Sequence, residues 1–330
     1  MKIFLTFDYE LFFGSNSGTL EKSIIEPTER LLKILNSYDI KATFFVDAGY
    51  LIKLNQFCDE HEVLKRDLKI VTSQIKSLCG EGHSVQLHIH PHWEDAVYAG
   101  GKWLFKCNRF TLNAFSAEEV DRIVGDYKKV LEELTNSPVF AYRAGGWCIQ
   151  PFSHLKKAFE KHNIWLDSTV FKGGYYNSET HMFDYRHAPD KDFWVFSDDI
   201  LQEESGGMVE LPISSYKVSP MFYWQLALIR LFKMKKHKIY GDGSPIGAGK
   251  KDIFKLLIRS SYSVASVDGF KISYLQESLN FNVDKGHKNF VAIGHPKAFS
   301  RYSLSIFDKF CNENYRTHGF SIISGKEFYR

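Results

Sequence analysis

Three histidines at alternate positions, His88, His90 and His92, are the residues of this sequence best suited to chemistry. Neutral imidazole is a common ligand of zinc and of related divalent metals. His88 and His92 lie four residues apart across a turn, so both could reach one ion, and a carboxylate would complete three protein ligands. Such an open site lowers the pKa of a bound water to about 7 and polarises a carbonyl. The alternative is a set of solvated or hydrogen-bonded histidines beside Pro91.

Two carboxylates near the start of the chain could supply that ligand and a proton acceptor. Asp8 and Glu10 are two residues apart, so an extended backbone points both to the same side. One could bind metal while the other takes a proton; the alternative is a solvated acidic turn. Arg143 could pair with a carboxylate and keep it ionised, and His295 could protonate a leaving group. A structural ion pair and a core histidine are the alternatives for these two.

Short β-rich runs alternate with amphipathic stretches along most of the chain. The predicted strands cover residues 3–7, 41–46, 84–88, 139–142, 164–166, 288–293 and 320–323. The predicted helices cover residues 21–35, 62–78, 117–134, 151–161 and 303–312. Ser116 and Glu119 form a capping-box pattern at the start of one helix. This alternation indicates parallel strands joined by crossover helices, and therefore an α/β sheet or barrel.

Polar residues follow five of the predicted strands. The segments are Asp8-Tyr9-Glu10, His88 to Trp93, Arg143 to Trp147, Asp167-Ser168-Thr169 and Gly294-His295-Pro296. In parallel α/β folds the catalytic groups gather at the carboxyl ends of the strands. We therefore expect these side chains to meet at one rim of the sheet or barrel.

Two segments, residues 94–115 and 171–250, interrupt the alternation. The second contains a predicted hairpin, formed by residues 192–196 and 209–213, and a helix. Loops longer than about 12–15 residues are usually functional or disordered, and the aromatic content here predicts ordered insertions that shape a cleft. No repeat, low-complexity tract or linker divides the chain, so residues 1–330 are predicted to form a single domain.

The composition is typical of a soluble globular protein, with 44% hydrophobic and 25% charged residues. A net charge of +3 gives no electrostatic basis for binding nucleic acid. The five cysteines are scattered without a CxxC pair, which predicts free thiols. Asp8 breaks the first apolar run and no stretch of 18 apolar residues follows, so we expect a cytoplasmic protein.

Three other segments are discounted or less favoured as functional sites. Residues 241–250 look like a phosphate-binding loop, but Ser244 stands where a P-loop requires glycine. Residues 14–18 resemble a nucleophile elbow in which Asn16 replaces the serine. Residues 221–238, an aromatic run with a basic exit, could lie on an anionic membrane surface, although a packed helix with a solvated end is favoured.

The ordered set of motifs resembles the polysaccharide deacetylase (NodB-type) superfamily of carbohydrate esterases. The motifs are Thr6-Phe7-Asp8-Tyr9-Glu10, His88 to His92, Arg143-Ala144-Gly145-Gly146, Asp167-Ser168-Thr169 and Ile293-Gly294-His295-Pro296. They occur in the order of that family and span most of the chain. The resemblance implies a distorted (β/α)7-like barrel, a divalent metal that is commonly zinc, and removal of acetyl from N-acetylated sugars.

The resemblance also implies catalytic roles. Asp8 resembles the general base that activates the metal-bound water, and His295 the general acid that protonates the departing amine. Arg143 matches the arginine that orients the base. Asp167 matches the acid that tunes the catalytic histidine.

The implied metal ligands are His88, His92 and Glu10. The two histidines match the family's H-x-x-x-H pair. The common motif carries a second Asp on the metal, where Tyr9 stands here, but some members use an acid two residues after the base, and Glu10 fits that pattern.

The arginine motif departs from the family, which usually has a proline and an aromatic residue where Gly145 and Gly146 stand. The backbone N–H of Gly146 could still face an oxyanion, but substrate contacts there must differ. His90, Trp93 and Trp147 are expected, with Gly146, to lie in the second shell or against substrate.

The sequence thus predicts a metal-dependent N-deacetylase, a hydrolase of non-peptide carbon–nitrogen bonds, acting on an N-acetylated sugar or glycan in polysaccharide or glycoconjugate biosynthesis. One alternative is a metal-dependent amidohydrolase of a non-sugar amide. Another is a catalytically inactive carbohydrate-binding barrel. The sequence does not predict the oligomeric state.

Overall fold

The computed structural model describes residues 1–246, 249–325 and 328. Its strands are β1 (Lys2–Tyr9), β2 (Thr43–Asp47), β3 (Ser84–Ile89), β4 (Val97–Ala99), β5 (Lys102–Leu104), β6 (Ala141–Ala144), β7 (Leu166–Asp167), β8 (Tyr175–Asn177), β9 (Met182–Asp184), β10 (Trp194–Phe196), β11 (Met208–Glu210), β12 (Ser215–Val218), β13 (Ser261–Val264), β14 (Asn289–Gly294) and β15 (Gly319–Ser321). Its α-helices are α1 (Glu26–Ser37), α2 (Ala48–Phe57), α3 (Glu62–Gly80), α4 (Ala117–Thr135), α5 (Lys156–Lys161), α6 (Pro220–Leu231), α7 (Lys250–Ile258), α8 (Leu275–Asp284) and α9 (Arg301–Asn314). The chain divides into a first unit, Met1–Lys41 with Ile213–Ser321, and a second unit, Ala42–Pro212 with Ile322–Arg330.

The first unit is built around β1, whose parallel neighbours are β14 and β15. Every residue of β1 after Lys2 is buried, as expected of a parallel strand covered on both faces. The ring of Phe7 meets the edges of two other phenylalanine rings from the same unit. The register pairs Phe7 with Gly294, so the residues that follow, Asp8 and His295, come next on adjacent parallel strands.

The second unit contains six strands in the order β10–β11–β7–β6–β3–β2. All neighbours in it are parallel except β10 and β11. The register places His88 opposite Arg143 and Glu210 opposite Asp167. Helix α4 begins with the predicted capping box, in which both reciprocal hydrogen bonds are present.

Most of the predicted elements are confirmed, with boundaries that move by a few residues. The helix predicted over residues 151–161 is shorter, because a 3-10 turn over Phe152–His154 precedes α5. Sequence reasoning missed α2, which follows β2 directly and continues its apolar run. Because five of its ten residues are buried, its pattern lacks the clean polar face of an amphipathic helix.

The two predicted insertions are ordered over the residues that the structure describes, and residues 247 and 248 of the second lie outside them. Residues 94–115 contain the β4–β5 hairpin and a short 3-10 turn. The predicted pairing of residues 192–196 with 209–213 is confirmed as β10 with β11. However, β11 also pairs in parallel with β7, so the predicted insertion 171–250 includes a strand of the sheet itself.

The glycine-rich segment after α6 is a structural contact of the first unit. Asp242 accepts hydrogen bonds from the backbone and the hydroxyl of Thr19, at 2.8 and 2.9 Å. The backbone of Ser244 pairs with Gly14 and Asn16. The described part of this loop is therefore hydrogen-bonded to the segment that follows β1. This agrees with the sequence analysis, which discounted residues 241–250 as a phosphate-binding loop.

The helix predicted within residues 221–238 exists as α6, which packs on the unit through one buried residue and is otherwise largely exposed. Phe222 is the one buried residue of α6. Within the described ranges, no helix has both the length and the apolar character needed to cross a bilayer.

Candidate active site

The carboxyl ends of β1 and β14 bring acidic side chains to an imidazole in the first unit. Asp8 and Glu10 are both buried. The Nε2 atom of His295 lies 3.5 Å from Oδ2 of Asp8 and 3.6 Å from Oε1 of Glu10. The predicted base, the predicted acid and the predicted carboxylate ligand of this unit therefore lie together.

Asp268 holds the other side of the same imidazole. Its Oδ2 lies 2.7 Å from Nδ1 of His295, and its Oδ1 accepts the backbone N–H of His295 at 2.7 Å. Nδ1 of His295 thus has a carboxylate partner in Asp268, whereas the sequence pointed to Asp167 as the acid that tunes this histidine. Sequence reasoning missed Asp268, although it follows an apolar run, Val264-Ala265 and Val267, as the other polar strand ends do.

The carboxylates favour the charged form of His295. Burial alone would lower the pKa of His295, but Asp268, and then Asp8 and Glu10, raise it overall. Burial likewise acts to raise the pKa of Asp268, yet the charge and hydrogen bonds of His295 hold it below its usual value. The pair is therefore an imidazolium with a carboxylate partner, which is a suitable proton donor.

Lys297 is a second residue of this cluster that sequence reasoning missed. Its Nζ lies 3.0 Å from Oε1 of Glu10 and also donates to the backbone carbonyl of Leu11. The ammonium lies over the rings of Phe12 and Phe13, at 5.1 and 5.0 Å from their centroids. Glu10 thus has a cationic partner within its own unit.

His88 near the end of β3, and His90 and His92 just after it, lie in the second unit and are all buried. The ring centroid of His90 lies 4.8 Å from that of His88 and 5.1 Å from that of His92. His88 directs Nδ1 at the carbonyl of Arg143, 2.8 Å away. A carbonyl only accepts, so Nδ1 carries the proton in neutral His88 and Nε2 keeps its lone pair.

His92 and Trp93 have aromatic surroundings. The ring of His92 stacks on Phe110 and meets the edge of Phe105. Trp93 is wholly buried and donates its indole N–H to Asp47. Trp93 was predicted to lie in the second shell or against substrate, and its side chain fills the core of this unit.

Arg143 is fixed inside the second unit. Its Nε donates to the carbonyl of Ser168 at 2.7 Å and its Nη2 to the Ser168 hydroxyl at 3.0 Å. The guanidinium also lies 4.2 Å from the ring centroid of Phe45. Thr169 links the strands by accepting the N–H of Ala144 and donating to Asp167. The Asp167-Ser168-Thr169 motif thus holds Arg143 and the end of β6 in place.

Asp167 forms a buried carboxyl pair with Glu210, which sequence reasoning did not identify. Burial raises the pKa of Asp167, against a hydrogen bond from Glu210 and the charge of Arg143. Burial, and then Asp167, raise the pKa of Glu210 well above its usual value. Oε1 of Glu210 accepts the backbone N–H of Val170 at 2.9 Å, and Oε2 is buried without a hydrogen-bond partner among the described residues.

The glycine pair after β6 is required by close packing. A Cβ at Gly145 would lie 2.6 Å from Nδ1 of His90, and Gly146 has a φ of +60°. The carbonyl of Gly146 accepts a hydrogen bond from Nε2 of His181 at 2.7 Å. The half-buried Trp147 packs against Phe171. Glycine therefore replaces the bulkier family residues because histidine and aromatic side chains occupy that space.

The family model of polysaccharide deacetylases matches residues 1–150. This match over the first 150 residues agrees with the resemblance that the motifs predicted. The matched region includes Asp8, Glu10, the three histidines and Arg143. None of the curated proteins matches the sequence.

The fold of this chain is shared with solved structures. A Mycobacterium smegmatis protein provisionally described as a polysaccharide deacetylase is 17% identical, with a TM-score of 0.54 over 99% of this chain and 88% of that one. The allantoinase PuuE is 12% identical, with a TM-score of 0.50 over 98% of this chain and 88% of that one. Likeness at these identities establishes the fold, so the predicted α/β class with a distorted barrel is confirmed.

Proposed function

We propose that this protein is a metal-dependent hydrolase that removes the acetyl group from the nitrogen of an N-acetylated sugar. The observation that carries the proposal is the placement of His295, with Asp8 beside Nε2 and Asp268 on Nδ1. Amide hydrolysis needs a proton acceptor and a proton donor at one carbon–nitrogen bond, and these residues supply both.

The proton steps follow from the chemistry of the amide. Water attacks the acetyl carbon while Asp8 takes its proton. An amide anion is a poor leaving group, so the carbon–nitrogen bond breaks as His295 delivers its Nε2 proton to the nitrogen. Acetate and the free amine of the sugar are the products.

The donors of this chain fit a divalent metal. We assign Glu10, His88 and His90, all buried and all of the types that zinc accepts, as its ligands. The hydrogen bond from Nδ1 of His88 to a backbone carbonyl is the kind of support that orients ligating histidines. When bound, the metal polarises the acetyl carbonyl and lowers the pKa of a bound water. This set keeps Glu10 and His88 from the sequence prediction and exchanges His92 for His90, because His92 stacks on an aromatic ring.

The remaining predicted roles are retained or reassigned. Arg143 is proposed to orient the base, and its rigid hydrogen bonds to Ser168 support a fixed position. Asp268 takes the role predicted for Asp167, because it contacts the ring of His295 directly. Asp167 supports β6 through Thr169.

The substrate class, an N-acetylated sugar or glycan, comes from the family. The shared fold with an allantoinase favours one second candidate, the hydrolysis of a non-sugar amide by the same residues. Both candidates need the metal and His295, so the substrate assay separates them.

The test is acetate release from an N-acetylglucosamine oligomer by the full chain, stripped with a chelator and then reloaded with Zn2+, with allantoin assayed in parallel. We expect the wild type to release acetate from the oligomer only when the metal has been restored. The Asp8→Asn variant should release no acetate. Asp308→Asn, an exposed carboxylate bonded to Tyr38, is the matched control and should be fully active. Cleavage of allantoin without acetate release would establish the second candidate, and binding of the oligomer without any hydrolysis would establish the inactive barrel.

A further inference from the structure

The helices α6 and α7 of the first unit expose an unusual amount of apolar surface. Eleven of the eighteen large hydrophobic side chains exposed among the described residues lie between positions 221 and 262. On α6 they are Met221, Trp224, Leu228 and Leu231, at spacings of three and four residues that mark one helical face. Leu231 is 72% exposed and the following Phe232 is 66% exposed.

The same surface continues from α6 onto α7. The further exposed residues are Met234, Ile246, Ile253, Phe254, Ile258 and Tyr262. Phe254 is 62% exposed, although it lies within a helix. Exposed apolar side chains therefore lie on both helices and at Met234 and Ile246 between them, and apolar surface of this extent marks an interaction site.

The α6–α7 pair is a folded part of the unit. Phe222 packs from the opposite face of α6 into a cluster with Tyr216 and Val218. The indole N–H of Trp224 donates to the carbonyl of Leu257 at 3.0 Å, and the hydroxyl of Tyr223 lies 3.0 Å from that of Ser261. These contacts hold the two helices together and leave their apolar faces outward.

The charge of this region decides what could cover it. Residues 220–260 contain nine Lys and Arg against two Asp, a formal charge of +7, whereas the whole chain carries +3. The rest of the chain therefore carries −4. The exposed Lys233, Lys235, Lys236 and Lys238 follow the carboxyl end of α6 directly.

We propose that the α6–α7 surface docks this protein on the face of a membrane that contains anionic lipids. An apolar helical face flanked by lysines enters the boundary between headgroups and acyl chains, while the lysines reach the anionic headgroups. The twelve residues of α6 extend about 18 Å, against about 30 Å of hydrocarbon, so the helix lies in the interface. A second copy of this chain is less suited to cover the α6–α7 surface, because two segments that each carry a formal charge of +7 would repel one another.

The test is flotation of the full chain with vesicles of phosphatidylcholine containing about 30% phosphatidylglycerol, and with vesicles of phosphatidylcholine alone. We expect flotation with the anionic vesicles and release at about 0.5 M salt. Leu231→Ser with Phe232→Ser should weaken binding at least about tenfold. Lys235→Ala with Lys238→Ala should weaken it about 25-fold, at roughly fivefold per charge.

The matched control is Phe281→Ser with Val283→Ser, two residues of α8 that are each 42% exposed outside the patch. It should bind vesicles like the wild type, and thermal melts should show that all variants remain folded. Absence of flotation with anionic vesicles would overturn the proposal. So would equal binding to neutral vesicles at every salt concentration, or a dimer in ultracentrifugation that the Leu231 and Phe232 substitutions dissociate.

Discussion

Replacing Asp268 with Asn tests how the catalytic imidazole is held. In the wild type the carboxylate accepts two hydrogen bonds of 2.7 Å from His295, one from the ring and one from the backbone. Asn can still accept the backbone N–H through its amide oxygen. Its NH2 group must then face Nδ1, which can no longer donate there.

The expected loss follows from that one changed contact. A hydrogen bond to a charged group contributes about 1.5–3 kcal/mol, and 1.36 kcal/mol is a factor of ten, so kcat/KM should fall about 10- to 150-fold. Asp268 also raises the pKa of His295, so its removal lowers that pKa. The acid must be protonated to act, so the alkaline limb of the profile of kcat/KM against pH should move to lower pH.

The assay is acetate release by metal-loaded Asp268→Asn across pH, beside wild type and the exposed control Asp308→Asn. KM should stay near the wild-type value, because Asp268 contacts the histidine and not the substrate. An Asp268→Asn enzyme within threefold of wild type, with an unmoved alkaline limb, would refute the positioning role.

Three further predictions concern individual residues. His295→Ala should keep its metal by elemental analysis yet lose about 10²- to 10⁴-fold in kcat, and wild-type-like turnover would refute the acid assignment. The raised pKa of Glu210 means that wild type loses stability as pH rises from about 4.3 through the folded-state value. The free energy of unfolding of Glu210→Gln in urea should therefore rise relative to wild type as pH rises, and a difference that stays constant with pH would contradict the raised pKa. Gly145→Ala should lower the free energy of unfolding by about 1–3 kcal/mol, because its Cβ would meet His90, and an unchanged thermal melt would contradict that packing.

Sequence reasoning predicted the elements that carry the chemistry because their patterns are local. The buried run of β1, the capping box of α4 and the polar residues after each strand are all visible within short windows. The proximity of Asp8 and His295 also followed, because parallel neighbours align their carboxyl ends at one edge.

The residues that were missed act through contacts between distant segments. Asp268 reaches His295 from 27 residues away, and Glu210 meets Asp167 across two short strands. Lys297 lies beside Glu10 because β1 and β14 are paired, and nothing in its own neighbourhood indicates that role. For the histidines, spacing alone favoured His92, whereas its stacking on Phe110 depends on where the segment 94–115 folds.

The extent of the exposed surface of α6 was not predicted, for a different reason. Apolar residues on a helix usually predict burial, and composition does not show which face a protein leaves uncovered. The basic residues after Leu231 were the available signal.

The most direct test of the central claim is the zinc content per protein chain, measured by elemental analysis after reloading and desalting. The account predicts one zinc in wild type and in His92→Phe, and much less than one in Glu10→Gln, His88→Ala and His90→Ala. Full zinc in all three ligand variants would contradict the proposed site, and loss of zinc in His92→Phe with retention in His90→Ala would return the ligand role to His92.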